Sequence, residues 1–192
     1  LEDKVYKKNR FRKQHVRVLV NTYVVVAQPE KIGELEDYLR QERPRYVPSF
    51  ALHFGIPHLI RNDPHDIERY YGEMRSKRGC KDRRWIDWSY AFALMLQEKH
   101  EHAKGVLLKL LDSVKNPVLR LLTAYLLDAF SVSDNEVRNR VVEEKRRLQS
   151  AYSSSQWERE VEKNRGNLQV VVLSKLIRDA SNWAFGDGSQ AA

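Results

Sequence analysis

The chain has 192 residues, of which 42% are hydrophobic, so one domain or two small ones with a buried core fit the composition and global disorder does not. Lys and Arg total 34 against 26 Asp and Glu, and the formal net charge of +8 favours an anionic partner. The single cysteine, Cys80, excludes a disulfide-stapled module and a Cys-rich zinc site. No apolar run reaches the roughly 20 residues of a membrane span. We expect an intracellular, reducing compartment, either cytoplasmic or nuclear.

The first patterned segment, 16–26, carries two conflicting signals. β-Branched side chains at every second position favour a strand. The same segment also has Val16, Val20 and Tyr23 at spacings that place them on one face of a helix. Residues 168–173 show a similar ambiguity. We favour helix at both places, and the alternative is an α+β fold in which these segments pair as short strands.

Proline and capping residues predict where several helices begin. Pro29 opens one helix, and Asp63 and Asn116 each precede a proline, which combines an N-cap with a proline in the first helical turn. The stretches Ser133 to Glu136 and Ser155 to Glu158 match the capping box, in which a Ser hydroxyl and a Glu carboxylate satisfy backbone N–H groups.

The central part of the chain, from Trp85 to Phe130, is rich in Leu and Ala at helical spacing and has short connections. Consecutive helices joined in this way pack as antiparallel neighbours. We therefore predict a mainly α fold of about eight helices, built from antiparallel helix pairs and of bundle or helical-repeat type. Residues 16–185 are expected to form a single helical domain between a basic lead, 1–15, and a disordered tail, 186–192.

Small and large apolar residues recur along this central part with a period. Ala124 repeats Ala91 at a spacing of 33 residues. Leu127 repeats Leu94 at the same spacing. The stretch from Trp88 to Val141 resembles a tetratricopeptide-like helical repeat, whose period is about 34 residues. The resemblance implies a scaffold that binds peptides or proteins rather than an enzyme.

Positive charge is concentrated in two segments. Residues 1–20 and 69–84 each carry a formal charge of +5, so the rest of the chain is slightly acidic. Aromatic residues stand beside these cations, among them Phe11, Tyr70 and Trp85, and such rings stack on nucleic-acid bases in other proteins. We predict that the cations bind an anionic partner by charge complementarity and that the arginines add bidentate hydrogen bonds. The candidate partner-binding residues are Arg75, Lys77, Arg78, Lys81, Arg83 and Arg84, with Arg10, Arg12 and Lys13 as a second patch.

These features favour a non-enzymatic interaction or adaptor domain of a larger protein, which holds an acidic segment of a protein partner. The alternative is an RNA- or DNA-binding protein that uses the same basic surface, and an anionic membrane surface is a further candidate partner. We expect charge reversal of Arg83 and Arg84 together to abolish partner binding and to leave thermal stability nearly unchanged, because exposed charges contribute little to folding.

A catalytic function is the second alternative. His53, His58 and His65 lie close together in the sequence near Asp63 and Asp66, and imidazole and carboxylate groups serve both metal binding and acid–base catalysis. Their spacing matches no compact ligand motif, and the chain lacks the common nucleophile, zinc-protease and phosphate-loop motifs. We therefore predict no catalytic residue, no metal and no cofactor.

Overall fold

The computed structural model of the chain describes residues 13–163 and 173–186. The regular structure in these two ranges is helical and includes no strand, which confirms the predicted mainly α fold. The chain divides into two compact units, Leu1–Arg83 and Arg84–Ala192. That residues 16–185 form one domain stays a prediction, and of the predicted tail only Gly186 is among the described residues.

The described part of the first unit consists of short helices joined by tight connections. In chain order they are α1 (Lys13–Val25), α2 (Pro29–Glu42), a 3-10 helix (Pro44–Phe50), α3 (Ala51–Phe54), α4 (Ile56–Arg61) and α5 (Pro64–Ser76).

Helix α1 resolves the first ambiguous segment. Val16, Val20 and Tyr23 are buried on one face, and that face packs against α2. Other β-branched residues of the helix, such as Val18 and Val25, are exposed. The α+β alternative is therefore not supported at 16–26, because burial follows the helical period and not the strand period. Of the second ambiguous segment, 168–172 lies outside the described residues and Leu173 is in a turn.

Helix α2 organises the first unit, since it packs against α1, the 3-10 helix, α3 and α4. Its own inward residues, Ile32, Leu35 and Leu39, are fully buried. Helix α5 completes this core with an apolar face at helical spacing. That face consists of Ile67, Tyr70, Tyr71 and Met74.

The described part of the second unit consists of helices of 10 to 17 residues. They are α6 (Arg83–Leu96), which starts at the boundary between the units, α7 (His100–Ser113), α8 (Pro117–Asp128), α9 (Asn135–Ala151), α10 (Ser154–Lys163) and α11 (Ser174–Phe185).

Helix α8 is the centre of the second unit. It packs against α7, α9, α10 and α11, and eight of its twelve residues are buried. A helix that is apolar on nearly all sides is stable in water only when neighbours cover it, and these four helices do so.

Polar contacts fix the helices around α8. Arg120 on α8 donates to both carboxylate oxygens of Glu144 on α9, with Nη2 2.6 Å from Oε2. It also donates to the carbonyl oxygens of Leu111 and Val114, at 3.1 and 2.9 Å, and so satisfies the end of α7. Glu144 is only 5% exposed, and its charge is therefore balanced within the fold.

The helix starts confirm two predicted caps and correct two others. Asp63 and Asn116 accept from backbone N–H groups of the following turns, as predicted. For α9 the cap is Asp134 and not Ser133, because a carboxylate oxygen of Asp134 accepts from two backbone N–H groups. For α10 the capping box was predicted at Ser155 to Glu158, but Ser153 and Gln156 form it instead.

The residues that carry the repeat resemblance are all buried. Ala91 and Leu94 on α6 and Ala124 and Leu127 on α8 have no exposed surface. Small residues at helix crossings are buried in many antiparallel helix arrangements, so the repeat itself stays a prediction.

Candidate cationic interaction surface

The predicted partner-binding residues around position 80 lie on one short stretch, which we call the cationic segment: Arg75 at the end of α5, Lys77, Arg78 and Lys81 in the loop 77–82, and Arg83 at the start of α6. All are exposed except Arg75, which is half-buried. Arg84, also exposed, is the first residue of the second unit.

The loop has a defined backbone path. Gly79 has a φ of +81°, and Asp82 has a φ of +56°, in the left-handed region that tightens a turn. The Arg83 guanidinium donates to the carbonyl oxygen of Arg75, so it satisfies an acceptor in the last turn of α5 and closes the loop. Arg83 therefore has a structural contact that the sequence did not reveal.

The remaining cations of the loop differ in their partners. Lys77 Nζ lies 3.5 Å from Glu73 Oε1. Arg78 and Lys81 form no ion pair with an acidic side chain in the part of the chain that the structure describes. These two side chains keep their charges available to a ligand.

Lys77 is the outermost residue of a series of ion pairs that reaches the buried Glu36. Arg40 on α2 has Nη1 3.3 Å from Glu73 Oε1 and Nη2 2.6 Å from Glu36 Oε1. Burial raises the pKa of Glu36 to about 7, against the lowering effect of Arg40, and the charges of Asp37 and Glu73 add to the rise. This carboxylate thus changes its charge near neutral pH.

The aromatic residues beside these cations belong to the core. Tyr71 has no exposed surface, and Tyr70 and Trp85 are 6% and 5% exposed. Tyr70 donates its hydroxyl to the carbonyl oxygen of Ala51 at 3.0 Å. The interpretation of these three rings as stacking platforms for bases is therefore wrong, because a ring that stacks on a base must present its face.

The second predicted patch is described only in part. Arg10 and Arg12 lie outside the described residues. Lys13 holds its ammonium 5.4 Å from the centre of the Tyr46 ring and 3.5 Å from Ser49 Oγ, so its charge is partly engaged within the fold. Arg17, one helical turn further, is exposed and has no ion pair among the described residues. Arg17 belongs to the positively charged segment 1–20 but is not among the predicted partner-binding residues, although its i, i+4 spacing from Lys13 puts both on one helix face.

The predicted histidine and aspartate group does not converge on one point. Only His58 and Asp66 meet: His58 Nδ1 bonds an Asp66 carboxylate oxygen, and the His58 ring stacks on Tyr70 with centres 4.5 Å apart. Asp63 caps α5, while His53 packs edge-on against the Phe50 ring. His65 is an exposed residue in the first turn of α5.

The Asp66 carboxylate is held by several cations. Arg69 bonds its second oxygen, and Arg61 Nη1 lies 3.9 Å from the first. Burial acts to raise the pKa of Asp66, but the hydrogen bond and charge of His58 and the charge of Arg69 outweigh it, so that pKa lies below its usual value. This arrangement joins α4 to α5. Within 13–163 and 173–186, no three His, Cys, Asp or Glu residues are grouped so as to hold a metal ion.

No helix in the described ranges is both long enough and apolar enough to span a membrane.

Comparison with known proteins places the chain in a family. A relative from Treponema pallidum (strain Nichols), described as an uncharacterized protein, is 24% identical over 199 residues. The alignment covers 96% of this chain and 63% of the relative, so the chain spans less than two thirds of that protein. No solved structure gives a significant match. The model of a family described as "Uncharacterised Treponema protein" matches residues 31–186, which is more than half of the chain. The chain therefore belongs to this family of Treponema proteins.

Proposed function

We propose that the chain is a non-enzymatic interaction module, part of a larger protein, whose cationic segment holds an acidic segment of a protein partner. The observation that carries the proposal is the state of Arg78 and Lys81. Both side chains are exposed and lack an acidic partner among the described residues, whereas Lys77 is paired with Glu73 and Arg83 bonds the carbonyl oxygen of Arg75.

The loop is suited to binding because its conformation is set in advance. The left-handed turns at Gly79 and Asp82 and the bond from Arg83 to the Arg75 carbonyl oxygen define its path. A loop that is already ordered loses less conformational entropy when a ligand binds, so more of the interaction free energy appears as affinity.

Carboxylate groups of a protein suit this surface better than a nucleic acid does. Arginine binds a carboxylate or a phosphate with two parallel hydrogen bonds, so the arginines alone do not separate the two kinds of partner, and the aromatic rings do. Binding of single-stranded nucleic acid adds base stacking on exposed rings, and Tyr70, Tyr71 and Trp85 are buried. An acidic protein segment needs only the exposed cations.

The experiment measures binding of the full chain to a glutamate-rich peptide by fluorescence anisotropy at about 50 mM salt, with a single-stranded oligonucleotide and anionic lipid vesicles as parallel probes. The test variant is Arg78→Glu with Lys81→Glu. We avoid Arg83 because its bond to Arg75 makes loss of stability an expected side effect. This revises the expectation that reversal of Arg83 and Arg84 leaves stability unchanged.

The matched control is Arg146→Glu with Arg147→Glu, which makes the same change in net charge at exposed positions of α9. We expect the test variant to bind the peptide about tenfold more weakly or worse, and the control to stay close to the unmodified chain. Equal effects of both variants would mean that net charge alone attracts the peptide. Tighter binding of the oligonucleotide or the vesicles than of the peptide would overturn the choice of partner.

A further inference from the structure

A single oxygen atom links the cationic segment to the interior of the first unit. Glu73 Oε1, on α5, lies 3.5 Å from Lys77 Nζ and 3.3 Å from Arg40 Nη1, so two cations share it. Arg40 is held more closely by Glu36, because its Nε and Nη2 atoms lie 2.9 and 2.6 Å from Glu36 Oε1. Two carboxylates thus share one guanidinium, and Glu36 makes the closer contacts with it.

Glu36 is the buried end of this series, whereas Arg40 and Glu73 are exposed. On its own helix, α2, Glu36 faces Arg40 and Asp37. On α5 it faces Glu73 and the buried phenol of Tyr70, whose pKa is raised by burial and then by the Glu36 charge. Burial and the negative neighbours disfavour a charge on Glu36, and Arg40 opposes them. A carboxylate in such a place loses its charge more readily than an exposed one does.

We infer that the charge on the buried Glu36 controls how many cations the cationic segment offers to its acidic partner. While Glu36 is charged, it holds the Arg40 guanidinium, and Glu73 is left to neutralise Lys77. Once Glu36 is neutral, the guanidinium turns to Glu73 and weakens the hold of that carboxylate on Lys77. Lys77 then joins the other exposed cations of the loop in binding the partner. This inference rests on the proposed function and adds a means of regulating that site.

The size of the effect is set by the exposure of the Lys77–Glu73 pair. An ion pair between exposed side chains is weak, so release of Lys77 should tighten binding of a glutamate-rich peptide by about two- to fivefold. The pKa of Glu36 is about 7, and the gain should therefore develop as the pH falls from about 8 to about 6. The glutamates of the peptide keep their charges over this range, because their ordinary pKa is about 4.3.

The experiment measures peptide binding by the full chain at about pH 8 in a double-mutant cycle of Glu36→Gln and Lys77→Gln, two residues that are not bonded to each other. Glu36→Gln keeps the size of the side chain and fixes its neutral state. We expect it to tighten binding by about two- to fivefold, and Lys77→Gln to cancel that gain. The matched control is Glu34→Gln, which removes the same charge from an exposed position of α2 and should bind like the unmodified chain.

Two further measurements keep the test independent of how Glu36→Gln folds. Glu73→Gln, at an exposed position, releases Lys77 directly and should tighten binding to a similar extent. In a pH series from about 8 to about 6, the affinity of the unmodified chain should rise more than that of Glu36→Gln. Histidine also changes its charge in this range, but both proteins keep every histidine, so the difference between the two curves reports Glu36.

The outcomes separate this inference from the proposed function. If Glu36→Gln binds the peptide like the Glu34→Gln control, or if its gain survives the addition of Lys77→Gln, control through Arg40 and Glu73 is wrong. Weaker binding by the variant with Arg78→Glu and Lys81→Glu would then still support the proposed function. If that variant also binds like the unmodified chain, both proposals fail.

Discussion

Gly55, at the junction of α3 and α4, gives the sharpest test of the packing in the first unit. Its φ of −73° is open to any residue, and on backbone propensity alone an alanine should stabilise a helical position by about 0.5–1 kcal/mol. The packing around Gly55, however, leaves no room for the Cβ atom of an alanine. A Cβ atom at Gly55 would overlap Tyr71 Oη and would lie 2.5 Å from Cζ and 2.9 Å from Cε1.

Tyr71 has little room to move, because it has no exposed surface and its ring packs against Tyr70 with centres 5.2 Å apart. Overpacking a well-filled core costs about 1–3 kcal/mol. We therefore expect Gly55→Ala to lower the free energy of unfolding by about 1–3 kcal/mol, in spite of the better helix former. The matched control in the same unit is Gly33→Ala on α2, where a Cβ meets nothing within 4 Å, and it should stabilise by about 0.5–1 kcal/mol.

The assay is urea unfolding followed by circular dichroism and tryptophan fluorescence, with both probes fitted separately because two compact units need not unfold together. Combining Gly55→Ala with Tyr71→Phe removes the closest atom and should recover part of the loss, which a double-mutant cycle will show as a coupling energy. If Gly55→Ala proves as stable as Gly33→Ala, the close packing of Tyr71 on the α3–α4 junction is refuted.

Three further predictions concern charges and caps. Because the pKa of Glu36 is raised from 4.5 to about 7, its contribution to stability is complete below pH 4.5 and is lost as pH rises through 7, by about 3 kcal/mol. Glu36→Gln should flatten this part of the stability–pH curve. Parallel curves for the unmodified chain and the variant would contradict this prediction. Arg120→Met leaves the Glu144 charge buried without its partner and should lower the free energy of unfolding by about 3–5 kcal/mol. Adding Glu144→Leu should restore most of this loss. Denaturant unfolding that shows no such recovery would argue against the buried pair. Asp134→Ala should lower the free energy of unfolding, measured by thermal unfolding, by about 1–2 kcal/mol, whereas Ser133→Ala should have little effect. A larger loss for Ser133→Ala than for Asp134→Ala would mean that Ser133 is the cap of α9.

Local sequence signals predicted the helices well because each depends on a few neighbouring residues. The N-caps at Asp63 and Asn116 needed only spacing and side-chain chemistry. The shifted caps of α9 and α10 show the limit of this information. Ser133 and Asp134 are both good capping residues, and the backbone path at the end of α8 selects between them.

The candidate site was predictable in its charge but not in its composition. The sequence indicated an excess of cations between Arg75 and Arg84, and most of these side chains are exposed. It could not indicate that Arg83 bonds the Arg75 carbonyl oxygen or that Lys77 is paired with Glu73. It also placed Tyr70 beside the cations without showing that the ring faces the core, since adjacency in sequence does not give the direction of a side chain on a helix.

By itself, the sequence determined the helical class, the helix starts at Pro29, Asp63 and Asn116 and the two concentrations of positive charge, because these follow from periodicity, capping and composition. Only the tertiary structure decided between helix and strand at 16–26, since burial against α2 selects the helical face. The tertiary structure also decided which cations are neutralised by carboxylates from other helices, as Arg40 is by Glu73 and Arg120 is by Glu144, and which stay exposed. Such pairings join residues far apart in the chain, and they exist only once the helices have packed.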